Sequence, residues 1–347
     1  MKDYSNIKIL YIGPLNFGGT CLYRMKALLC LGIKIDFVNT DRTQNGNYCI
    51  DFIIRFFTKF LGKLWAGLVN IKVFLKINRN NYDYLWIDKG TLIQLKILEF
   101  AKRKNPKVKI ISYSPDDMLN PGNQSRHYLE SLSIYDLNVT TKTFNVNELI
   151  GLGAKNVIFL NNSYSPFVHK PHVGLENRDL FAQTISVGFV GTYEQQRAES
   201  LDFLARNGIN ITVHGVGWKK LRREKITLVH KNILGDDYAG ILSSTAINLC
   251  FLRKVNRDLQ TTRSIEIPAC GGFMLAERTI EHLQLFKEGI EAEFFDGNEE
   301  LLSKVKFYLN HENARLKIAR AGLQRCLSSG YSDVDTVKKI LAAARIS

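Results

Sequence analysis

Residues 248–272 read NLCFLRKVNRDLQTTRSIEIPACGG, and their order already describes a unit of structure. An apolar run, Ile247 to Phe251, leads into a basic turn, and the turn leads into a segment that reads as the start of a helix. Outward from this stretch the same alternation fills the chain. Short apolar, β-branched runs are separated by longer amphipathic segments, the pattern of a parallel sheet with crossover helices. In the first half, strands are expected at Ile7 to Ile12, Ile33 to Val38, Tyr84 to Ile87, Val108 to Tyr113, Leu137 to Thr140 and Val157 to Leu160. In the second half they are expected at Ser186 to Val190, Ile211 to His214, Ile226 to Val229, Ile247 to Phe251, Phe273 to Leu275 and Glu293 to Phe295.

Two such series fit the size of the chain. Its 347 residues, 45% of them hydrophobic, supply apolar surface for about two cores. The segment SYSPFVHKPHVGLENRD has two prolines and no helical period, so it reads as a connection, with a boundary near residue 175. The expectation is an N-terminal Rossmann-like domain over 1–174, a C-terminal one over 175–331, and a last helix over 332–347 that packs back on the first domain. The N-terminus runs from polar residues straight into a strand, without the h-region of a signal peptide, and no uninterrupted run of 18 apolar residues occurs. A cytoplasmic protein is expected. Six cysteines are scattered without any CxxC pair, which suits reduced thiols and neither disulfides nor a zinc site. The sequons at Asn123 and Asn138 would matter only in a secreted protein.

The net charge of +14 is uneven. Residues 1–172 hold 23 Lys and Arg against 12 Asp and Glu, so +11 of the excess lies in the first half. Such a bias suits an anionic partner: nucleic acid, acidic membrane, lipid-linked phosphate or acidic glycan. Residues 50–79 combine Phe, Leu, Ile and Trp65 with six basic side chains and Asp51 as the only acid. One reading is an interfacial segment on an anionic bilayer. The other is a helical hairpin packed on the sheet, its lysines snorkelling into solvent.

Phosphates gather where strand carboxyl ends meet helix N-termini. Two glycine-rich turns stand at such places. The first holds Gly18, Gly19 and Thr20, on the side expected to take the acceptor; the second holds Gly191 and Thr192. Neither is GxGxxG or a Walker loop, and each also reads as a plain tight turn. In the quoted stretch, Arg253, Lys254, Arg257 and Arg263 crowd one turn, a combination of point charges and guanidinium forks suited to a diphosphate, or else a solvated basic loop. Glu266 follows one turn into the helix. It can accept both hydroxyls of a ribose, or simply counter the helix dipole.

The run from Thr261 through TTRSIEIPACGGFMLAERTIEHLQLFKEGIEAEFFDGNEELLSKVKFYL resembles the donor domain of the CgeB-like, group 1 glycosyltransferases of bacterial polysaccharide clusters. The shared pieces are an Arg ahead of an Ile-Glu helix, the Ala-Cys-Gly-Gly turn, the Leu-x-Glu after a strand, the Phe-x-x-Gly-x-Glu hairpin and the Glu-Leu helix. The resemblance extends to VGFVGTYEQQRAESLDFL, VHGVGW, ISYSPDDM and DLNVTTKTFNVNELIGLGAKNV, and is weakest around residues 41–80. It implies a GT-B fold, two Rossmann-like domains whose parallel sheets face a central cleft. It also implies metal-independent transfer from a nucleoside-diphosphate-sugar, the sugar donor being a co-substrate and no cofactor being needed. On that resemblance Glu266 binds the ribose, Gly191 and Thr192 approach the phosphates, and Arg253, Lys254 and Arg263 clamp the diphosphate, with Arg257 and Thr262 alongside. His230, Ile233 and Tyr238 fall where relatives hold the base. Asp258 stands eight residues before Glu266, where retaining relatives carry a Glu, and this leaves the stereochemistry open.

An inverting reaction needs a general base on the acceptor side. Asp116 and Asp117, after a strand, are candidates, as is His127; a turn cap with an exposed neighbour, and a surface histidine, are the plainer readings. The implied partners are a nucleotide-sugar donor, a glycan or lipid-linked acceptor and an anionic membrane surface, for a monomer or dimer. Competing classes are an inactive GT-B scaffold, a basic nucleic-acid binder, which no RNP, GXXG or zinc-finger motif supports, and an NAD enzyme, which lacks the glycine fingerprint.

Overall fold

The computed structural model describes residues 4–41, 58–171, 185–221 and 223–346. They form two compact units, one of residues 1–161 with 333–347, the other of residues 162–332. The change of unit falls at Asn161–Asn162 rather than near residue 175. Asn162, whose amide donates to Gln260 Oε1 at 3.0 Å, and Tyr164, whose amide donates to the Tyr331 carbonyl at 3.1 Å, are tied into the second unit. Residues 172–184, in the expected connection, lie outside the described residues.

Unit 1 alternates β1 (Lys8–Gly13), α1 (Thr20–Cys30), β2 (Lys34–Asn39), α2 (Thr58–Arg79), β3 (Tyr84–Asp88), α3 (Leu95–Lys104), β4 (Lys109–Ser114), α4 (Arg126–Glu130), β5 (Leu137–Thr140), α5 (Asn145–Gly151) and β6 (Val157–Phe159). All strand pairs are parallel, in the order β2-β1-β3-β4-β5-β6. The two-residue period of a strand divides the core. Leu10 and Ile12 point to the layer holding Val69, Val73 and Ile77 of α2 and Leu98 of α3, while Ile9 and Tyr11 point to the layer holding Leu28 of α1. That second layer is completed by α12 (Asp333–Ile346), whose Val337, Ile340, Leu341 and Ala344 share one helical face and are fully buried.

Unit 2 repeats the plan: β7 (Ile185–Val190), α6 (Gln195–Arg206), β8 (Ile211–His214), β9 (Ile226–Val229), α7 (Gly235–Ser244), β10 (Thr245–Cys250), α8 (Arg263–Ala269), β11 (Met274–Glu277), α9 (Ile280–Leu285), β12 (Glu293–Phe295), α10 (Gly297–Asn310) and α11 (Glu312–Ser328). The order is β12-β11-β10-β7-β8-β9, again all parallel. In each unit the first strand has later strands on both sides, so the chain reverses its winding between β1 and β3, and between β7 and β10. Open α/β sheets bind ligands at the carboxyl ends of the strands flanking such a reversal.

Of the cysteines, Cys21, Cys250, Cys270 and Cys326 are free and buried, Cys30 is free and exposed, and Cys49 lies outside the described residues. Among the described residues no helix is long and apolar enough to cross a membrane.

Candidate active site

In unit 1 the reversal point is closed by an internal ion pair. Asp88, the last residue of β3, is buried, and its two oxygens take Nε and Nη2 of Arg24 at 3.0 Å each. The Tyr11 hydroxyl sits between this carboxylate and the Cys21 carbonyl, and the Arg24 guanidinium lies 4.0 Å over the Tyr113 ring. Burial works against the Arg24 charge, but the Asp88 carboxylate outweighs it and holds the guanidinium pKa above its ordinary value. The glycine turn lies above this pair. Gly18 has φ 76°, a left-handed conformation, and Gly19 N-caps α1 while its amide donates to the Asn16 carbonyl at 3.1 Å. A Cβ on Gly19 would come within 2.4 Å of Asn16 Oδ1. Thr20 reaches Arg24 at 3.5 Å. The turn's own packing therefore accounts for both glycines.

Next to it, Lys89 follows β3 with φ 51°, a strained conformation for a side-chain-bearing residue. Its ammonium meets Asp116 Oδ2 at 2.7 Å. Desolvation disfavours that charge, and the Asp116 carboxylate more than compensates, raising the lysine pKa. Asp116 is half-buried, whereas Asp117 is 1% exposed and accepts from Asn145 Nδ2 at 3.0 Å and from the Leu119 amide at 3.1 Å. Asp117 thus fixes the turn, which corrects the expectation that it could serve as base. His127 is half-buried on α4 and has no hydrogen bond or ion pair to Asp116.

In unit 2 the reversal point gathers cations. Arg263, the first residue of α8, lies 5.6 Å over the Phe189 ring and donates from Nη2 to the Phe251 carbonyl at 3.4 Å. It thereby spans the ends of β7 and β10. Its Nε is buried without a hydrogen-bond partner, and no described carboxylate lies within ion-pair distance of its guanidinium. Arg197, on α6, stacks on the same Phe189 ring, also at 5.6 Å, and is 2% exposed. Its Nε and Nη1 donate to the Leu252 and Thr192 carbonyls, at 3.3 and 3.1 Å, while Nη2 has no hydrogen-bond acceptor and lies 3.6 Å from Glu194. Burial and then the neighbouring Arg263 charge lower its pKa to about 10, against the pull of Glu194. Two arginines against one aromatic ring, unevenly neutralised, concentrate positive charge of a kind suited to an anion. Arg197 also lines a cavity of about 320 Å³ with Phe251, Lys254, Glu277 and Asn298.

The other cations of the quoted turn are more fully answered. Arg253 Nε donates to Glu194 at 3.0 Å, the Lys254 ammonium pairs with Glu277, and exposed Arg257 has φ 48°. Of the expected clamp of Arg253, Lys254 and Arg263, the first two are thus paired with carboxylates, and Arg263 is the one with no described carboxylate within ion-pair distance. Asp258 is 6% exposed and accepts from Asn256 Nδ2 at 2.7 Å, which holds the loop's shape. Gly191 stands directly at the arginine: a Cβ there would be 3.6 Å from Arg263 Nη1. Its amide, however, donates to the His214 carbonyl at 2.9 Å and its carbonyl accepts from Trp218 Nε1 at 2.8 Å, so the Gly191 backbone is not available to a phosphate. Gly215, at φ 140°, makes this approach possible, because a Cβ there would lie 2.1 Å from the Gly191 oxygen.

Glu266 lies one turn into α8, 5% exposed. The Tyr238 hydroxyl donates to its Oε2 at 2.8 Å, and His169 Nε2 lies 3.7 Å from Oε1. His169 Nδ1 accepts from the Ser165 amide at 3.0 Å, so the neutral ring carries its proton on Nε2, towards the carboxylate. Burial first, and Glu266 second, drive the Tyr238 pKa far up. Exposed His230 and half-buried Ile233 stand in the loop between β9 and α7. The Thr262 carbonyl accepts from the Glu266 amide at 2.9 Å and opens the helix. Beneath the loop, buried His282 accepts at Nε2 from Ser264 Oγ (2.7 Å) and donates from Nδ1 to the Glu277 carbonyl (2.6 Å). Burial lowers the His282 pKa, in keeping with this neutral bridge. Arg197 and His169 were missing from the sequence reading. Arg197 had a signal: with Leu201 and Leu204 it shares the buried face of α6.

Comparison with known proteins bears on the fold and on the second half of the chain. Residues 196–342 match a family model described as glycosyl transferase-like. No curated protein sequence matches the chain. Among solved structures, Anabaena HepE in complex with UDP-glucose is similar at a TM-score of 0.62 and 13% identity, covering 99% of this chain and 100% of that one. Sucrose-phosphate synthase from Thermosynechococcus elongatus is similar at 0.64 and 10%, covering 98% and 99%. TarM gives 0.67 and 8%, covering 99% and 100%. The fold is GT-B, and the matching family model, over residues 196–342 only, is described as glycosyl transferase-like.

Proposed function

We propose that the chain transfers a sugar from a nucleoside-diphosphate-sugar, with uridine as the nucleoside, to a hydroxyl of a cell-surface glycan or lipid-linked acceptor at the cytoplasmic face of the membrane. The carrying observation is Arg263, whose guanidinium lies at the β7–β10 reversal point with a buried, unpartnered Nε and no described carboxylate within ion-pair distance. A buried donor left without an acceptor costs stability unless a ligand completes it. Uridine is suggested by HepE, whose structures hold UDP and UDP-glucose.

In this reading the bond from the anomeric carbon to the diphosphate oxygen breaks as the acceptor oxygen bonds to that carbon. Arg263 and Arg197 take the charge that develops on the leaving diphosphate, the role a metal would otherwise fill. Glu266 accepts the ribose hydroxyls, held in place by Tyr238 and His169. The acceptor proton goes to Asp116, which Lys89 keeps oriented.

The test is thermal unfolding of the pure chain with UDP-, GDP-, TDP- and CMP-sugars. A UDP-sugar is expected to raise Tm, by an amount that grows with ligand concentration, and Arg263→Ala or Glu266→Gln should erase the rise. A rise with another nucleotide alone would replace uridine; no rise with any would remove the donor site.

A further inference from the structure

The outer face of α2 is apolar where a surface helix should be polar. Leu64, Leu68, Ile71 and Leu75, at helical spacing, are 57%, 52%, 56% and 39% exposed. The opposite face, with Val69, Val73 and Ile77, is the one that packs on the sheet. Phe74 flanks the stripe and meets Phe100 of α3 at 4.7 Å between ring centroids. The two rings line an open cavity of about 540 Å³ together with Ile71, Ile97, Lys96 and Arg103.

The charges that α2 itself carries beside this apolar face are all positive, while Arg103 of the neighbouring α3 is paired with Glu99 at 3.9 Å. From Thr58 to Arg79 the helix has no acid, and Lys63, Lys72 and Arg79 stand exposed beside the stripe. Lys76 and Lys104 are engaged elsewhere, the first with Asp36 at 3.7 Å, the second with the Asn78 carbonyl at 2.7 Å near the end of α2. Residues 50–57 of the segment singled out in the sequence lie outside the described residues.

We propose that this face of unit 1 docks on an anionic lipid bilayer, with the stripe at the level of the upper acyl chains and the cations at the lipid phosphates. An apolar stripe bordered by cations matches the interface of such a bilayer. A second copy of the chain fits less well, since it would bring Lys63, Lys72 and Arg79 against their own images with no acid on the helix to answer them. The inference rests on the lipid-linked acceptor proposed above for its purpose, and on this surface alone for its chemistry.

The experiment is co-sedimentation of the full chain, without donor, with vesicles of phosphatidylcholine and with vesicles containing phosphatidylglycerol. Pelleting is expected with the second only, to be reversed by salt. Leu68→Glu with Ile71→Glu should abolish it, and Lys63→Ala with Lys72→Ala should weaken it by about fivefold per charge. A chain that stays in solution with both vesicles, or a Leu68→Glu/Ile71→Glu variant that still pellets, overturns the proposal. So does a dimer on size exclusion that this variant splits, which would make the face a contact between copies. Unfolding of the same variants with a UDP-sugar is read separately, so loss of vesicle binding and loss of donor binding remain distinct results.

Discussion

The two reversal points share a topology and differ in what they do with charge. In unit 1 an arginine at the head of the site is answered within the protein, by both oxygens of Asp88. In unit 2 Arg263 and Arg197 share one phenyl ring, and the acid nearest Arg197, Glu194, is also bound to Arg253. A parallel sheet supplies a place for a ligand twice. Whether the place is filled by a side chain or kept for an anion depends on one carboxylate.

The strongest way to break this comparison is to open the closed site. Asp88→Ala would leave Arg24 buried without a counter-charge and should lower stability by about 3–5 kcal/mol in urea unfolding. Replacing both partners, Arg24→Met with Asp88→Leu, should recover most of that loss. If the single variant unfolds like the wild type, the pair is not what closes unit 1.

A smaller effect is expected from emptying the open site. Arg263→Ala should reduce kcat/KM for sugar transfer by about 100- to 1000-fold, the range for removing one donor to developing charge. Unlike Asp88→Ala, it should leave stability without ligand nearly unchanged, because it also relieves the repulsion on Arg197. Initial rates and ligand-free melts of one preparation check both halves; a large loss of stability would put Arg263 in the same structural class as Arg24.

The smallest effect concerns an ion network away from both sites. Arg278 holds Glu300 at 2.7 Å and Glu288 at 2.6 Å, and its hydrogen bond is the main cause of a Glu300 pKa lowered to about 2. A depressed carboxylate stabilises the fold above its unfolded pKa, and the gain fades as pH falls through the folded value. Glu300 should thus contribute stability that declines between about pH 4.5 and 2, roughly 1 kcal/mol once solvent screening is allowed for. Glu300→Gln should flatten that part of the pH–stability curve, and a curve equal to the wild type would remove the network from the account.

Most of the fold is legible in the sequence because the inner strands, such as β3 and β10, are short apolar runs buried on both faces. β10, Thr245–Cys250, is buried at all six positions, and a run of that kind resembles nothing else in its neighbourhood. The site is less legible, for reasons of distance along the chain. Asp117 reads as a chemical group until Asn145, 28 residues on, is seen to bind it. Gly191 reads as a phosphate loop until the register of β8 sets the His214 carbonyl against its amide. Glu266 and Arg263 stand out because they are polar at the start of a helix, yet what makes Arg263 informative is a missing partner, which no linear pattern displays. His169 lies in the segment that reads as a connection, and its role depends on Tyr238 and Glu266 being brought to it.

The return of α12 to the first unit sets the order in which the chain can be finished. Residues 162–332 form their unit without interruption, whereas the layer holding Ile9 and Tyr11 waits for Val337, Ile340, Leu341 and Ala344. Domains usually complete themselves in the order they leave the ribosome. Here the later-made unit has its full complement of residues first, and the earlier one is exposed along a strip of its core through all of that synthesis, which makes it the part most in need of a chaperone.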